Sequence, residues 1–217
     1  MKKIYINPGH SNRDPGAIGY ETERQLNVKV SAYQAAYLQE NYLCEIRVGS
    51  GDDLMALCQE ANDWGADLFV SNHNNSGMGD GYENYVYGQN RVELGKIFAR
   101  YVAEAGQNLR SSSVAPGVKL QPGYIVLKYT HMPAILNEGA FVDNQQDIAD
   151  WNEDHELQAL GIAYAKAAAE FLNLEKKAQP VYFVHYSTRL GPFQDQKTAE
   201  TIAAALQAAG YEGEVTQ

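Results

Sequence analysis

The sequence predicts an α/β fold, a largely parallel sheet with helices on both faces, followed by a short βαβ-like C-terminal appendage. Short apolar runs of strand length alternate with amphipathic stretches of helix length over Lys3–Leu174. The crossovers are short, and such alternation is typical of a parallel sheet covered on both faces. A chain of 217 residues, 45% hydrophobic and 20% charged, can bury one good-sized core with a small appendage.

The first half of the chain contains three predicted strands and two predicted helices. The first long helix is indicated by apolar side chains at helical spacing, among them Leu26, Val30 and Leu38. A cap at Asp52 or Asp53 begins the second helix. The predicted elements are, in order, strand Lys3–Asn7, helix Thr22–Asn41, strand Glu45–Val48, a helix ending near Trp64, and strand Asp67–Asn72.

The next part continues the alternation. One helix carries an apolar stripe and is stopped by Gly106, and a loop rich in serine, proline and glycine follows it. The predicted elements are strand Tyr82–Gly88, helix Glu93–Ala105, loop Ser111–Gly123, strands Tyr124–Leu127 and Ala134–Asn137, and helix Glu156–Leu172.

The pattern changes after Leu174, which predicts a domain of residues 1–174 and a linker of residues 175–180. The linker is polar, charged and ends in proline. Residues 181–217 are too few for an independent core, so they are interpreted as an appendage or a fragment. Its predicted elements are strand Val181–Tyr186, a helix with Ala199 and Ala203 on its apolar stripe that Gly210 ends, and strand Gly213–Gln217.

Charge and hydrophobicity exclude several functions. A net charge of −10 argues against nucleic acid, whose binding depends on neutralising phosphates, and against adsorption to anionic surfaces. No apolar run approaches membrane-spanning length, and Ile4–Ile6 is too short for a signal peptide. We therefore expect synthesis in the cytoplasm without a leader, and neither a nucleic-acid nor a membrane partner. Cys44 and Cys58 lack metal or disulfide spacing and are predicted to be packed thiols.

Three residues of the predicted loops and helix starts suggest a metal. His10, Glu23 and His73 offer two imidazoles and a carboxylate, a donor set that matches a catalytic zinc site with one open position. Each also has an ordinary explanation: a loop hydrogen bond, a helix N-terminus or a polar turn. Glu138 ends an apolar run, where a carboxylate is costly to bury unless it is paired or used.

Four separated motifs resemble those of the zinc-dependent N-acetylmuramoyl-L-alanine amidases of the amidase-3 type, in the same order, over Lys3–Leu174. The motifs are INPGHSNRDPGAIG with a following Glu and Asn, ADLFVSNHNNS, GYENYVY and VLKYTHMPAILNEGAFVDN. The resemblance implies zinc held by His10, Glu23 and His73, with Glu138 catalytic. It also places Asn27, Phe141 and Asn144 at the family's spacing. From the same motifs, Asn75 and Asn144 are predicted to contact substrate.

The implied reaction is hydrolysis of the peptidoglycan amide between N-acetylmuramic acid and L-alanine, by zinc-activated water with Glu138 as general base. Two alternatives stay open, another zinc-dependent cell-wall peptidase and an inactive amidase-fold protein that binds the wall. The motifs also depart from the family: Ser71–Asn75 reads SNHNN where SIHAN is common, and Leu57 replaces a frequent arginine.

The appendage resembles the first half of a SPOR-type peptidoglycan-binding repeat, with a strand, a turn, a helix and a Gly-Tyr stop. The alternative is a helical hairpin without a binding role. We expect a monomer, or a dimer if the appendages of two chains complete one sheet. Action on the bacterial cell wall without a leader would suit a phage or prophage lysin or a mother-cell lysis enzyme.

Overall fold

The computed structural model describes residues 1–178, 182–185, 189–208 and 214–216. They form two compact units, divided between Lys176 and Lys177. The strands of the first unit are β1 (Lys2–Pro8), β2 (Cys44–Val48), β3 (Leu68–Asn75), β4 (Glu83–Val86), β5 (Val118–Leu120) and β6 (Ala134–Phe141). Its helices are α1 (Glu23–Asn41), α2 (Leu54–Trp64), α3 (Val92–Glu104), α4 (Ile125–Lys128), α5 (Gln145–Ala149) and α6 (Asp154–Leu172), with a 3₁₀ turn at Gln89–Arg91.

The six strands form one sheet in the order β2-β1-β3-β6-β4-β5. The strands β2, β1, β3 and β6 are mutually parallel, β4 runs antiparallel to β6, and β5 pairs parallel with β4. The predicted α/β fold with a largely parallel sheet is confirmed. The exception is at the β4–β5 edge.

Helices cover both faces of the sheet. On one face α1, α3 and α6 enclose the larger apolar core, which contains Ile4, Ile6 and Val70. On the other face α2 and α4 cover a smaller core around Tyr5 and Phe69, whose rings stack. Because β1 and β3 are buried on both faces, they read in the sequence as continuous apolar runs. Among the described residues no helix is long and apolar enough to cross a bilayer.

Several elements differ from the prediction. The predicted strand Tyr124–Leu127 is wrong, because these residues enter the short helix α4, and the Tyr124 carbonyl accepts hydrogen bonds from the amides of Leu127 and Lys128. So short an apolar run has no periodicity that separates strand from helix. Val118–Leu120, inside the predicted loop, is the edge strand β5. The strands β3 and β6 extend past their predicted ends, so His73 lies within a strand.

The cysteines and the predicted linker differ in part from expectation. Neither cysteine forms a disulfide; Cys58 is buried, as predicted, whereas Cys44 is only partly buried. The first linker residues pair with the first unit. The Glu175 carbonyl accepts a hydrogen bond from the Leu43 amide, and Lys176 forms an isolated antiparallel β-bridge with Tyr42. Residues 179–180 lie outside the described residues.

The second unit contains β7 (Tyr182–His185), β8 (Arg189–Phe193), α7 (Gln196–Ala208) and β9 (Glu214–Thr216). Its strands form an antiparallel sheet in the order β8-β7-β9. The predicted order strand, helix, strand is present, with β8 as an additional strand before the helix. Ala199 and Ala203 of α7 are buried. The predicted boundary residues Val181, Tyr186, Gly210, Gly213 and Gln217 lie outside the described residues.

Candidate metal centre

His10 lies in the loop after β1 with a backbone φ of 65°. Residues other than glycine rarely adopt this left-handed conformation, and such strain is concentrated at functional sites. The Nδ1 atom of His10 lies 3.0 Å from Oδ2 of Asp14, whose Oδ1 accepts a hydrogen bond from the Gly16 amide. A carboxylate on one imidazole nitrogen fixes the tautomer, so that the other nitrogen can bind a metal ion once it gives up its proton. The Nε2 atom of His10 is therefore available as a metal ligand.

Glu23 is the first residue of α1 and is buried. Its Oε1 lies 3.0 Å from Nε2 of His10 and 2.9 Å from Nδ1 of His73, and its Oε2 accepts a hydrogen bond from the Ala17 amide. Burial alone would raise the pKa of Glu23, but the hydrogen bonds from the two histidines hold it well below its usual range. The carboxylate is therefore ionised, as a metal ligand must be.

His73 lies in β3, directly opposite Glu138 of β6. One ligand atom from each of His10, Glu23 and His73 lies within 4.8 Å of the other two. Two imidazole nitrogens and a carboxylate oxygen are typical zinc ligands. Three protein ligands leave a fourth coordination position for water or substrate. The structure therefore brings the three predicted residues together, in an arrangement that fits a zinc ion.

Two glycines allow the loop to approach these ligands closely. A Cβ atom on Gly9 would lie 2.2 Å from Cε1 of His73, and one on Gly16 would lie 2.5 Å from Oε2 of Glu23. Real Cβ atoms essentially never approach other atoms that closely. Gly16 also has φ +72°, which favours glycine. Side chains at either position would displace the ligands.

A buried amide pair connects the segments that carry the ligands. Asn27, one turn along α1 from Glu23, accepts a hydrogen bond from Asn74 Nδ2 at 2.9 Å and donates to the Gly9 carbonyl at 3.3 Å. Asn74 Oδ1 accepts a hydrogen bond from the Ala140 amide of β6. This pair ties the His10 loop, α1, β3 and β6 together. The sequence indicated only the spacing of Asn27, because its partners lie on other elements.

Glu138 lies beside the three candidate ligands. Its Oε2 is buried and has no hydrogen-bond partner among the described residues. Burial, together with the carboxylates of Glu23 and Glu83, raises the pKa of Glu138 well above its usual range, and Lys119 opposes this effect. A carboxyl group beside the candidate ligands, with an oxygen that no described residue engages, is placed to exchange protons with a reacting group.

His10, His73 and Glu138 line one cavity of about 420 Å³. One wall is apolar, and the acidic side chains of Asp14, Asp52 and Glu138 line other parts of it. The residues that line it include His10, Asp14, Asp52, Leu54, His73, Tyr124, Ile125, Val126, Leu136 and Glu138. A cavity of this size, largely apolar with a few convergent polar groups, is typical of a small-molecule or peptide site.

Asn75 and Asn144 have partners within the protein. Asn75 donates from Nδ2 to Glu83 Oε1, and its Oδ1 accepts a hydrogen bond from the Ser76 amide. Asn144 caps α5 and donates from Nδ2 to the Gly79 carbonyl. Neither residue is among those that line the cavity. Substrate contact by these two residues stays a prediction.

Comparisons with known proteins point to one enzyme family. The profile of the N-acetylmuramoyl-L-alanine amidase family, amidase-3 type, matches residues 4–170. A sporulation-specific N-acetylmuramoyl-L-alanine amidase of Bacillus subtilis is 28% identical over 98% of this chain and 83% of its own. An endolysin of Bacillus phage SPP1 is 29% identical over 82% and 68%, respectively. The catalytic domain of the amidase CwlV from Bacillus (Paenibacillus) polymyxa superposes with a TM-score of 0.72 at 23% identity, over 81% of this chain and all of that one.

Proposed function

The chain belongs to the N-acetylmuramoyl-L-alanine amidase family, amidase-3 type, and we propose that it cleaves the peptidoglycan amide between N-acetylmuramic acid and L-alanine with zinc and Glu138. One observation carries the proposal. The ligand atoms of His10, Glu23 and His73 converge within 4.8 Å, and Glu138 lines the same cavity as His10 and His73.

His10, Glu23 and His73 would hold the metal, and Asp14 would keep His10 in the tautomer that presents Nε2. Bound zinc supplies a Lewis acid for the amide carbonyl and lowers the pKa of water to about 7. Glu138 would accept the proton of the attacking water at Oε2 as the C–O bond forms. It would then return that proton to the amine of L-alanine as the C–N bond breaks, which releases the amine and leaves a carboxyl group on the lactyl side.

The apolar wall of the cavity would help to exclude water from the reacting amide. Leu54, Ile125, Val126 and Leu136 lie there, and Leu136 is two residues before Glu138 on the same face of β6. A site with less water strengthens every electrostatic interaction inside it. This arrangement supports hydrolysis of a peptide-like amide flanked by a bulky glycan.

Digestion of purified peptidoglycan tests the reaction. An N-acetylmuramoyl-L-alanine amidase releases a new amino terminus on L-alanine and leaves a lactyl carboxylate on the glycan. A cell-wall peptidase exposes a different amino terminus, and an inactive wall-binding protein exposes none. Metal analysis of the same preparation tests for one zinc per chain, and loss of that zinc in His10→Ala and His73→Ala supports the ligand assignment.

The site of action and the appendage complete the proposal. The chain would act on the bacterial cell wall, as a lysin or a lysis enzyme. Residues 181–217 would contribute a partial SPOR-like contact with that wall, and residues 1–174 the catalytic domain. The support for the appendage is its strand, helix and strand order, with α7 covering one side of the sheet.

A further inference from the structure

A row of charged side chains continues from Glu138 towards the edge of the sheet. Glu83 of β4 is the antiparallel register partner of Glu138. Two residues further along β4, Tyr85 is the register partner of Lys119 in β5. Residues two apart in a strand face the same side of the sheet. One face of the sheet therefore carries the proposed general base, a second carboxylate and a cation in sequence.

Glu83 is buried, and two cations share one of its oxygens. Its Oε2 lies 2.6 Å from Nε of Arg110 and 2.5 Å from Nζ of Lys119. Its Oε1 accepts hydrogen bonds from the Tyr85 hydroxyl at 2.6 Å and from Asn75 at 3.0 Å. One cation is enough to balance one buried carboxylate. The ammonium of Lys119 carries three N–H donors, and its hydrogen bond to Glu83 uses one of them.

Both cations are partly exposed to solvent, and Lys119 lies near the cavity. The side chains of Arg110 and Lys119 keep 31% and 34% of their surface exposed. The Nζ atom of Lys119 lies 5.7 Å from the ring centre of Tyr85, and that ring packs against Tyr124, which lines the cavity. The chain carries a net charge of −10, and the residues bordering the cavity include Asp14 and Asp52. A local positive charge at this position favours an anion.

We propose that Lys119 and Arg110 form an anion subsite that binds a carboxylate of the substrate's stem peptide during amide cleavage. The inference rests on the proposed function. The carboxylate belongs to the peptide, because the carboxyl group of the muramoyl side is tied up in the amide that is cut. Arginine and lysine are both suited to carboxylates, and Glu83 holds the two cations in place.

The test compares two substrates that differ only in charge. Disaccharide-peptide fragments of peptidoglycan are prepared with the peptide carboxylates free or converted to amides. We expect the wild-type protein to show a KM about 10-fold lower for the free acid, since a hydrogen bond to a charged group is worth about 10-fold or more. Lys119→Gln and Arg110→Gln should each remove most of this preference, so that the ratio of KM for the amide to KM for the free acid falls towards 1.

Two further variants control for charge and fold. Lys96→Gln removes one positive charge from the exposed surface of α3 and should keep the preference. Lys119→Arg should restore it. Each single substitution leaves Glu83 one cation, so the melting temperature should stay close to wild type. An equal KM for both substrates in the wild-type protein would overturn the subsite and leave the amidase proposal intact. An equal rise in KM for both substrates in the variants would do the same. Cleavage of neither substrate would overturn both proposals.

Discussion

Replacing Gly16 with alanine should remove the metal from the site with only a modest loss of stability. The added Cβ would lie 2.5 Å from Oε2 of Glu23 and within 2.7 Å of the His10 ring. Ordinary contact begins at 3.4 Å, so the Glu23 oxygen would have to move by about 0.9 Å. Metal–ligand distances tolerate shifts of only about 0.2 Å. Displacement of two of the three ligands should therefore weaken zinc binding by at least about 10–100-fold, the range seen when a ligand's supporting contacts are lost.

The substitution also strains the backbone, and this effect needs its own control. Alanine in the left-handed region costs about 1–2 kcal/mol. Gly65, at the C-terminus of α2, has φ +70° and no heavy atom within 4 Å of its Cβ position. The Gly65→Ala variant therefore carries the same strain without touching a ligand.

The assay combines zinc affinity, from competition with a coloured chelator, with the free energy of unfolding. We expect both variants to lose about 1–2 kcal/mol of stability, but only Gly16→Ala to lose zinc affinity. If Gly16→Ala binds zinc as tightly as Gly65→Ala does, the close approach of this loop to the ligands is not what positions them, and the reasoning fails.

Three other predictions concern the base, the buried amide pair and the appendage. Glu138→Gln should keep zinc and melting temperature but cleave roughly 10²–10⁴-fold more slowly, and near-normal cleavage of muropeptides would contradict the mechanism. Asn27→Ala should lower the free energy of unfolding by about 1–3 kcal/mol and should also lower zinc affinity. The control is Asn84→Ala, since Asn84 is also buried and its amide donates to Tyr82 and to the Gly95 carbonyl; this variant should lower stability alone. Equal zinc binding in the two variants would contradict a positioning role for Asn27. The third variant is a chain truncated after Lys177, which keeps the hydrogen bond between Leu43 and Glu175. It should still cleave soluble muropeptides but bind intact cell walls less tightly. If the truncated and full-length chains sediment equally with cell walls, the appendage has no targeting role.

Much of the fold could be predicted because burial within an element leaves a local pattern. The stretch Lys3–Asn7 predicted the first strand, and the helical spacing of Leu26 and Val30 predicted the first helix. The apolar residues of that stretch, and Leu26 and Val30, are buried as expected. The prediction was wrong at Tyr124–Leu127, because a run of four apolar residues fits a strand and a single helical turn equally well.

For the candidate site, the sequence by itself determined which residues were available and, through the motif resemblance, which of them to group. It singled out His10, Glu23, His73 and Glu138. Only the tertiary structure decided that the first three converge and that His73 and Glu138 are cross-strand partners. The physical reason is that a side chain's type and local spacing are properties of its own element. The distance between side chains on different elements depends on strand register and helix packing, which involve residues far apart along the chain. The ion pairs of Arg110 and Lys119 with Glu83 also join residues on different elements. No local sequence pattern indicated them.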